Sequence, residues 1–183
     1  MKGSELLNRK VRRCPISGIV PETVAPSDFC NTYCIMGMIS CDPRKSSPMV
    51  HTIGEENHDS TCFRMFLENL IMSGWLMPGD IIVCDNAEIH EKGVNSDLSE
   101  FLWNAPGLDG LPLNILLLPL PTRSPELNPI ELIWNTLVQR LKTFSRTSTE
   151  KDAVAKYADY VLKTFEYDVI IKTYIKCGYN RFT

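Results

Sequence analysis

With 183 residues, 44% of them hydrophobic and 22% charged, the chain is sized for one domain and has apolar side chains enough to bury a core without disulfides or a structural metal. That balance excludes a disordered segment, and no apolar stretch approaches the length of a membrane span. The net charge of −3 hides an asymmetry: residues 1–13 hold five Lys/Arg and one Glu, residues 140–183 nine Lys/Arg and five Asp/Glu, and the middle five against sixteen. Basic ends around an acidic middle suit nucleic-acid contact at the ends and a cation site in the middle. The plainer reading of the acids is a solvated surface, and an acidic middle counts against a strong DNA-binding face. The seven cysteines are scattered, and Met1 to Arg13 is polar and basic with no apolar core. Reduced thiols in a cytosolic or nuclear protein follow, not a secreted disulfide framework.

In chain order, residues 1–31 show no period and are punctuated by Pro15, Gly18, Pro21 and Pro26, so they are expected to be an irregular basic segment. Thr32 to Ser40 reads as a strand, Asp42-Pro43 and Ser46-Ser47 as a turn, and Pro48 to Ile53 as the returning strand of a hairpin. From Ser60, the residues Phe63, Phe66, Leu67, Leu70 and Ile71 follow helical spacing, and Ser73-Gly74 closes the helix. Ile81 to Cys84 is a short apolar run that fits a strand buried on both faces, ending at Asp85. Asn95 or Ser96 is expected to cap a helix through Leu98, Phe101 and Leu102. Leu113 to Leu118 reads as a second buried strand. Beyond the next helix, Thr147 or Ser148 is the expected cap of a helix through Ala153, Tyr157, Tyr160, Val161 and Phe165, and Val169 to Lys176 is expected to form another, ending at Gly178. The order of elements predicts an α/β layer with one mixed sheet, the strands ending at Cys84 and Leu118 in its interior.

The stretch from Arg123 to Trp134 organises the rest. Pro119, Pro121 and Pro125 stiffen the exit from the Leu113 strand. Asn128 is a good N-cap, Pro129 suits the first helical position, and Glu131 falls third, as in a variant capping box. Ile130, Trp134, Leu137, Val138 and Leu141 then give one buried stripe. Glu131 has two readings, a capping glutamate and a catalytic carboxylate, and spacing alone favours the cap. Asp85 changes the weighing. It ends one buried strand, and Glu131 opens the helix after the next, so both are expected at one edge of the sheet, where ligand groups gather. Two carboxylates that close repel unless a cation bridges them, and oxygen-only ligation suits Mg²⁺ or Mn²⁺.

Ile81 to His90 (IIVCDNAEIH) and Leu116 to Trp134 (LLLPLPTRSPELNPIELIW) closely resemble the DDE transposases of the Tc/mariner type. In that family a strand ends in Asp-Asn-Ala with a His a few residues on, and a later strand leads through a Ser-Pro-x-Leu-Asn-Pro-Ile-Glu loop to a helix bearing a Trp. The resemblance covers roughly residues 10–145 and implies a ribonuclease-H-like mixed sheet flanked by helices. It divides the chain into the segment 1–31, a DDE domain at 32–145 and a helical appendage at 146–183. It implies that Asp85 is the second catalytic acid and Glu131 the third, both ligands of Mg²⁺ or Mn²⁺, with Asn86, His90, Asn128 and Trp134 as local support. DNA is the implied partner, with a homodimer as a further one; neither a membrane nor a small-molecule substrate is expected. The implied location is nuclear in a eukaryote and cytoplasmic otherwise.

One departure matters. The family's first acid ends the first strand of its sheet, just ahead of a stretch resembling Asn8 to Ser17. Nothing in Met1 to Leu7 reads as such a strand, and Asp28 and Asp42 do not match its position. The expectation is a transposase-derived domain without its first strand and first acid, and catalytically incomplete. A non-enzymatic nucleic-acid-binding or protein-interaction remnant of a transposable element is the alternative. Cys30, Cys34, Cys41, His51, His58 and Cys62 form no paired zinc knuckle, and buried free cysteine is the better reading.

Overall fold

The computed structural model describes residues 33–54, 60–85, 94–144 and 152–179. The expected irregular segment 1–31, Asn86, His90, Cys30, His58 and the caps Thr147 and Ser148 lie outside the described residues. The described residues fall into two compact units, one containing 60–85 and 94–128, the other 33–54, 129–144 and 152–179.

In the second unit, β1 (Cys34–Ile39) and β2 (Met49–Gly54) form the expected antiparallel hairpin, with Gly37 opposite His51 and Ile39 opposite Met49. Asp42 builds the turn: its carboxylate accepts from the Arg44 backbone N–H at 2.9 Å and from the guanidinium Nη2 at 2.6 Å. The Arg44 side chain first, then its backbone N–H, hold that carboxyl down to about 2.

The first unit opens with α1 (Ser60–Met72), which buries Phe66, Leu67, Leu70 and Ile71 on one stripe. Gly74, at φ +70°, ends it: its N–H donates to the Ile71 carbonyl and that of Trp75 to Leu70. The chain turns back as β3 (Ile81–Cys84), crosses through α2 (Val94–Asn104) and returns as β4 (Leu116–Pro119), parallel to β3. α2 starts at Val94, so Asn95 and Ser96 lie within its first turn and not ahead of it.

Two expectations about these strands need correction. The four strands do not make one mixed sheet; among the described residues they form two separate two-stranded ladders, β1–β2 and β3–β4. Nor is β3 covered on both faces. Ile82 is buried, but Ile81 and Val83 beside it are exposed, as are Leu116 and Leu118 on β4. An apolar run reads alike whether one face or both are covered, and alternation of exposure along β3 shows that only one is. The second strand also starts later than Leu113. Asn114 takes φ +51°, with its side-chain amide on the Pro112 carbonyl, which interrupts an extended run. Leu113 and Ile115, on either side of it, are among the best buried side chains of the unit.

A short 3₁₀ turn (Pro125–Leu127) leads to α3 (Pro129–Phe144), followed by α4 (Ala153–Lys163) and α5 (Tyr167–Lys176). α3 packs with α4 and α5, and α4 with β2. Their shared core is Met49, Ile133, Trp134, Leu137, Ala158, Val161, Leu162, Phe165 and Ile170, edged by Ile130 and Leu141. Each aliphatic side chain so buried contributes roughly 1.5–3 kcal/mol relative to exposure. The buried stripe of α3 is therefore centred on Ile133, Trp134 and Leu137 and includes Ile133, which the expected stripe omitted. Tyr160, on the expected helix, is 64% exposed. Polar ties fix α5 to the hairpin: the Tyr167 hydroxyl donates to the Lys45 carbonyl, and that of Tyr174 to Ile39 at 3.1 Å. Burial first, then the neighbouring Cys41 and Tyr179, push the Tyr174 phenol up.

Candidate functional site

Asp85 follows directly on β3, in the first unit, and is half-buried. The parallel ladder continues past the strands at this end, where the Leu120 N–H donates to the Cys84 carbonyl at 2.7 Å. The loop Leu120 to Asn128 thus leaves β4 at the end of the ladder where Asp85 stands. Ligand-binding groups collect at that end of parallel strands. Electrostatics there are marked by Cys84, whose thiol is pushed up to about 11, by burial first and then by the charge of Asp85.

The motif loop has an unusual backbone. Arg123, an exposed residue, takes φ +62°. A side-chain-bearing residue is disfavoured there, and such outliers cluster at functional loops. Thr-Arg-Ser-Pro contains no glycine or asparagine to announce a left-handed turn, so no local signal points to it. Asn128 closes the 3₁₀ turn with its N–H on the Pro125 carbonyl, and its φ of −100° and ψ of 102° are those of a residue preceding a helix.

Glu131 lies in the first turn of α3, in the second unit, and is half-buried. The positive end of a helix holds a carboxylate in its ionised form, which suits both a cap and a cation ligand. One turn on, Trp134 anchors the helix. Its ring is buried in the unit's core and sits where a side chain at Gly37 of β1 would go. An isolated glycine in a strand pattern is a sign of such close approach, and Gly37 in the run Cys34 to Ile39 carries it. Trp134 Nε1 is buried with no hydrogen-bond partner among the described residues.

Among the described residues, no group of three or more His, Cys, Asp or Glu side chains is placed to hold a metal ion. Cys34, Cys41, Cys62, Cys84 and Cys177 are not in disulfides. Among the described residues no helix is long and apolar enough to cross a membrane. Compared with known families, residues 12–154 match the sequence model of the DDE superfamily endonuclease. No curated protein and no solved structure matches the chain.

Proposed function

Because this chain belongs to the DDE superfamily endonuclease family, we propose that it is a transposase-derived domain of the Tc/mariner type whose substrate is DNA. The family assignment carries transposase-type DNA cutting as the coarse function. The finer reading takes the fold as ribonuclease-H-like, with residues 32–145 as the DDE domain, 1–31 as a basic lead-in and 146–183 as a helical appendage.

In this reading Asp85 and Glu131 are the two carboxylates that hold a divalent ion. The observation that supports it most is the placement of Asp85 at the end of the parallel ladder from which the Leu120 to Asn128 loop departs. Oxygen-only donors fit Mg²⁺ or Mn²⁺, which keep several waters when few protein ligands are offered. Bound there, the ion would supply charge stabilisation to a phosphodiester undergoing in-line displacement. The chain's own part is to position the two carboxylates, Asp85 at the strand end and Glu131 in the first turn of α3. Trp134 fixes the rotation of α3 and hence the direction of Glu131.

The chain as given offers two acids at motif positions. Asp42 is engaged by Arg44 in the hairpin turn and is not a third. With two ligands, one ion is held weakly and a second poorly, and most of the electrostatic contribution to phosphoryl transfer is lost. Two measurements test this. Mn²⁺ titration followed by electron paramagnetic resonance should show one weak site, abolished in Asp85→Asn and in Glu131→Gln. Supercoiled plasmid with Mg²⁺ or Mn²⁺ should show no nicking above the double variant Asp85→Ala, Glu131→Ala. Nicking that vanishes in the double variant would mean that another residue completes the site, and the incompleteness would have to be abandoned.

A further inference from the structure

A second surface, remote in sequence from Asp85, carries the features of a nucleic-acid contact; the inference rests on the DNA reading above and gives it a location. From Leu132 to Thr149 the sequence has no Asp or Glu, in a chain whose net charge is −3. Within this run the exposed positions of α3 are Asn135, Thr136, Gln139, Arg140, Lys142 and Thr143. None is a carboxylate: Arg140 and Lys142 are cations, Asn135 and Gln139 carry amide donors, and the Thr136 and Thr143 hydroxyls donate back to the Leu132 and Gln139 carbonyls. The negative end of a helix attracts cations by itself, which accounts for Lys142 but not for the exclusion of every carboxylate.

α4 extends this face. Lys156, Tyr160 and Lys163 are exposed at i, i+4 and i+7, so they share one side of the helix. The two helices are stitched together beside them. Arg140 Nη1 donates to Thr164 Oγ1 at 3.2 Å, and its guanidinium carbon stands 5.7 Å from the centre of the Phe165 ring. Phe144 stacks on Tyr157 with centroids 4.1 Å apart and planes within 9°, and Tyr160 is the next ring, 6.4 Å on. Tyr160 therefore ends an aromatic row with its own ring in solvent. Asp159 is already engaged, by Lys163 at 2.7 Å and by His51 at 2.9 Å, and Asp152, one turn before Lys156, is an exposed carboxylate at the N-terminal border of this face.

We propose that this face of α3 and α4 is a contact surface for DNA. Arg140, Lys142 and Lys156 meet backbone phosphates, and Tyr160 offers its ring to an unpaired base. Cations arrayed beside an exposed ring are the combination that binds single-stranded or distorted DNA, the cations setting salt dependence and the ring adding stacking.

Fluorescence anisotropy of the full chain tests the proposal, with a labelled duplex and a labelled single strand, in EDTA, over a range of salt. Arg140→Gln with Lys156→Gln should weaken duplex binding and flatten the plot of log K against log salt by about 0.9 for each phosphate no longer neutralised. Lys172→Gln with Lys176→Gln makes the same charge change on α5 and should leave the slope as in the wild type. Tyr160→Ala should weaken single-strand binding about fivefold or more, and Tyr160→Phe should retain it. Circular dichroism and urea unfolding check that the variants fold, and Lys156→Glu alone serves if the double variant does not. Equal slope changes in the two double variants, an unaffected Tyr160→Ala, or a wild-type chain that binds neither DNA would each overturn the proposal. The Mn²⁺ titration reads Asp85 and Glu131 without DNA, so that site and this surface fail separately.

Discussion

The indole of Trp134 fills the space that a β-carbon at Gly37 would need: one placed there would lie 2.9 Å from Cη2 of the ring and 3.2 Å from the Val50 carbonyl oxygen. The first neighbour is a packed core side chain and the second is strand backbone, so neither can move cheaply. Gly37→Ala should therefore cost about 1–3 kcal/mol in urea unfolding. In a Trp134→Phe background the same change should cost less, because phenylalanine lacks the outer part of the indole. Equal costs in both backgrounds would mean that the ring does not set the limit at Gly37.

Trp134 Nε1 has no partner among the described residues, and a buried N–H without an acceptor costs about 1–3 kcal/mol. Trp134→Phe removes that cost along with some apolar packing. Its net effect should stay within about 1 kcal/mol, whereas Trp134→Ala should cost about 3–5 kcal/mol. A loss from Trp134→Phe as large as that from Trp134→Ala would show that the indole N–H is bonded in solution.

Asp159 predicts a pH dependence. Its carboxyl is held below the ordinary range, first by the Lys163 ammonium, against the opposing effect of burial, with His51 lowering it further. A depressed carboxyl contributes stability that is complete above its unfolded pKa of about 3.9 and is lost as pH falls through the folded value. Acid unfolding of Asp159→Asn should thus be less steep below about pH 4 than that of the wild type. Solvent around Lys163 and Asp159 keeps the effect modest. Parallel acid profiles for the two proteins would remove Asp159 from the account.

The left-handed backbone at Arg123 gives a paired test in the motif loop. Glycine adopts φ +62° freely, though it also gains freedom in the unfolded chain, so Arg123→Gly should leave Tm nearly unchanged or slightly raised. A β-branched side chain is least tolerated there, and Arg123→Val should lower Tm. A ranking with valine above glycine would rule out the left-handed turn.

Much of the local structure was legible. The Ile81 to Cys84 strand is legible as a continuous apolar run, and the helix from Ser60 through its helical period and closing glycine. The second strand starts later than expected because Asn114, the one residue of Leu-Asn-Ile-Leu that readily tolerates a left-handed backbone, takes φ +51°. Leu116 and Leu118 could not be known to face solvent, since a leucine run does not say how many faces are covered. The exposure of Tyr160 is not legible in the helical period, because a tyrosine at the margin of a stripe fits either side. Asp85 and Glu131 are singled out by their motif, not by local pattern. A capping glutamate and a metal ligand have the same spacing, and only their long-range relationship separates the two.

That relationship can be read directly. Fe²⁺ occupies oxygen sites suited to Mg²⁺, and with ascorbate and peroxide it cuts the backbone beside its ligands. Fragments from the full chain, mapped by mass spectrometry, should show two cuts, one beside Asp85 and one beside Glu131. Both should be suppressed by excess Mg²⁺, and both should vanish together in Asp85→Asn and in Glu131→Gln. Cutting beside one residue alone, or cuts that persist in either variant, would contradict a shared ion and leave Glu131 as the cap of α3.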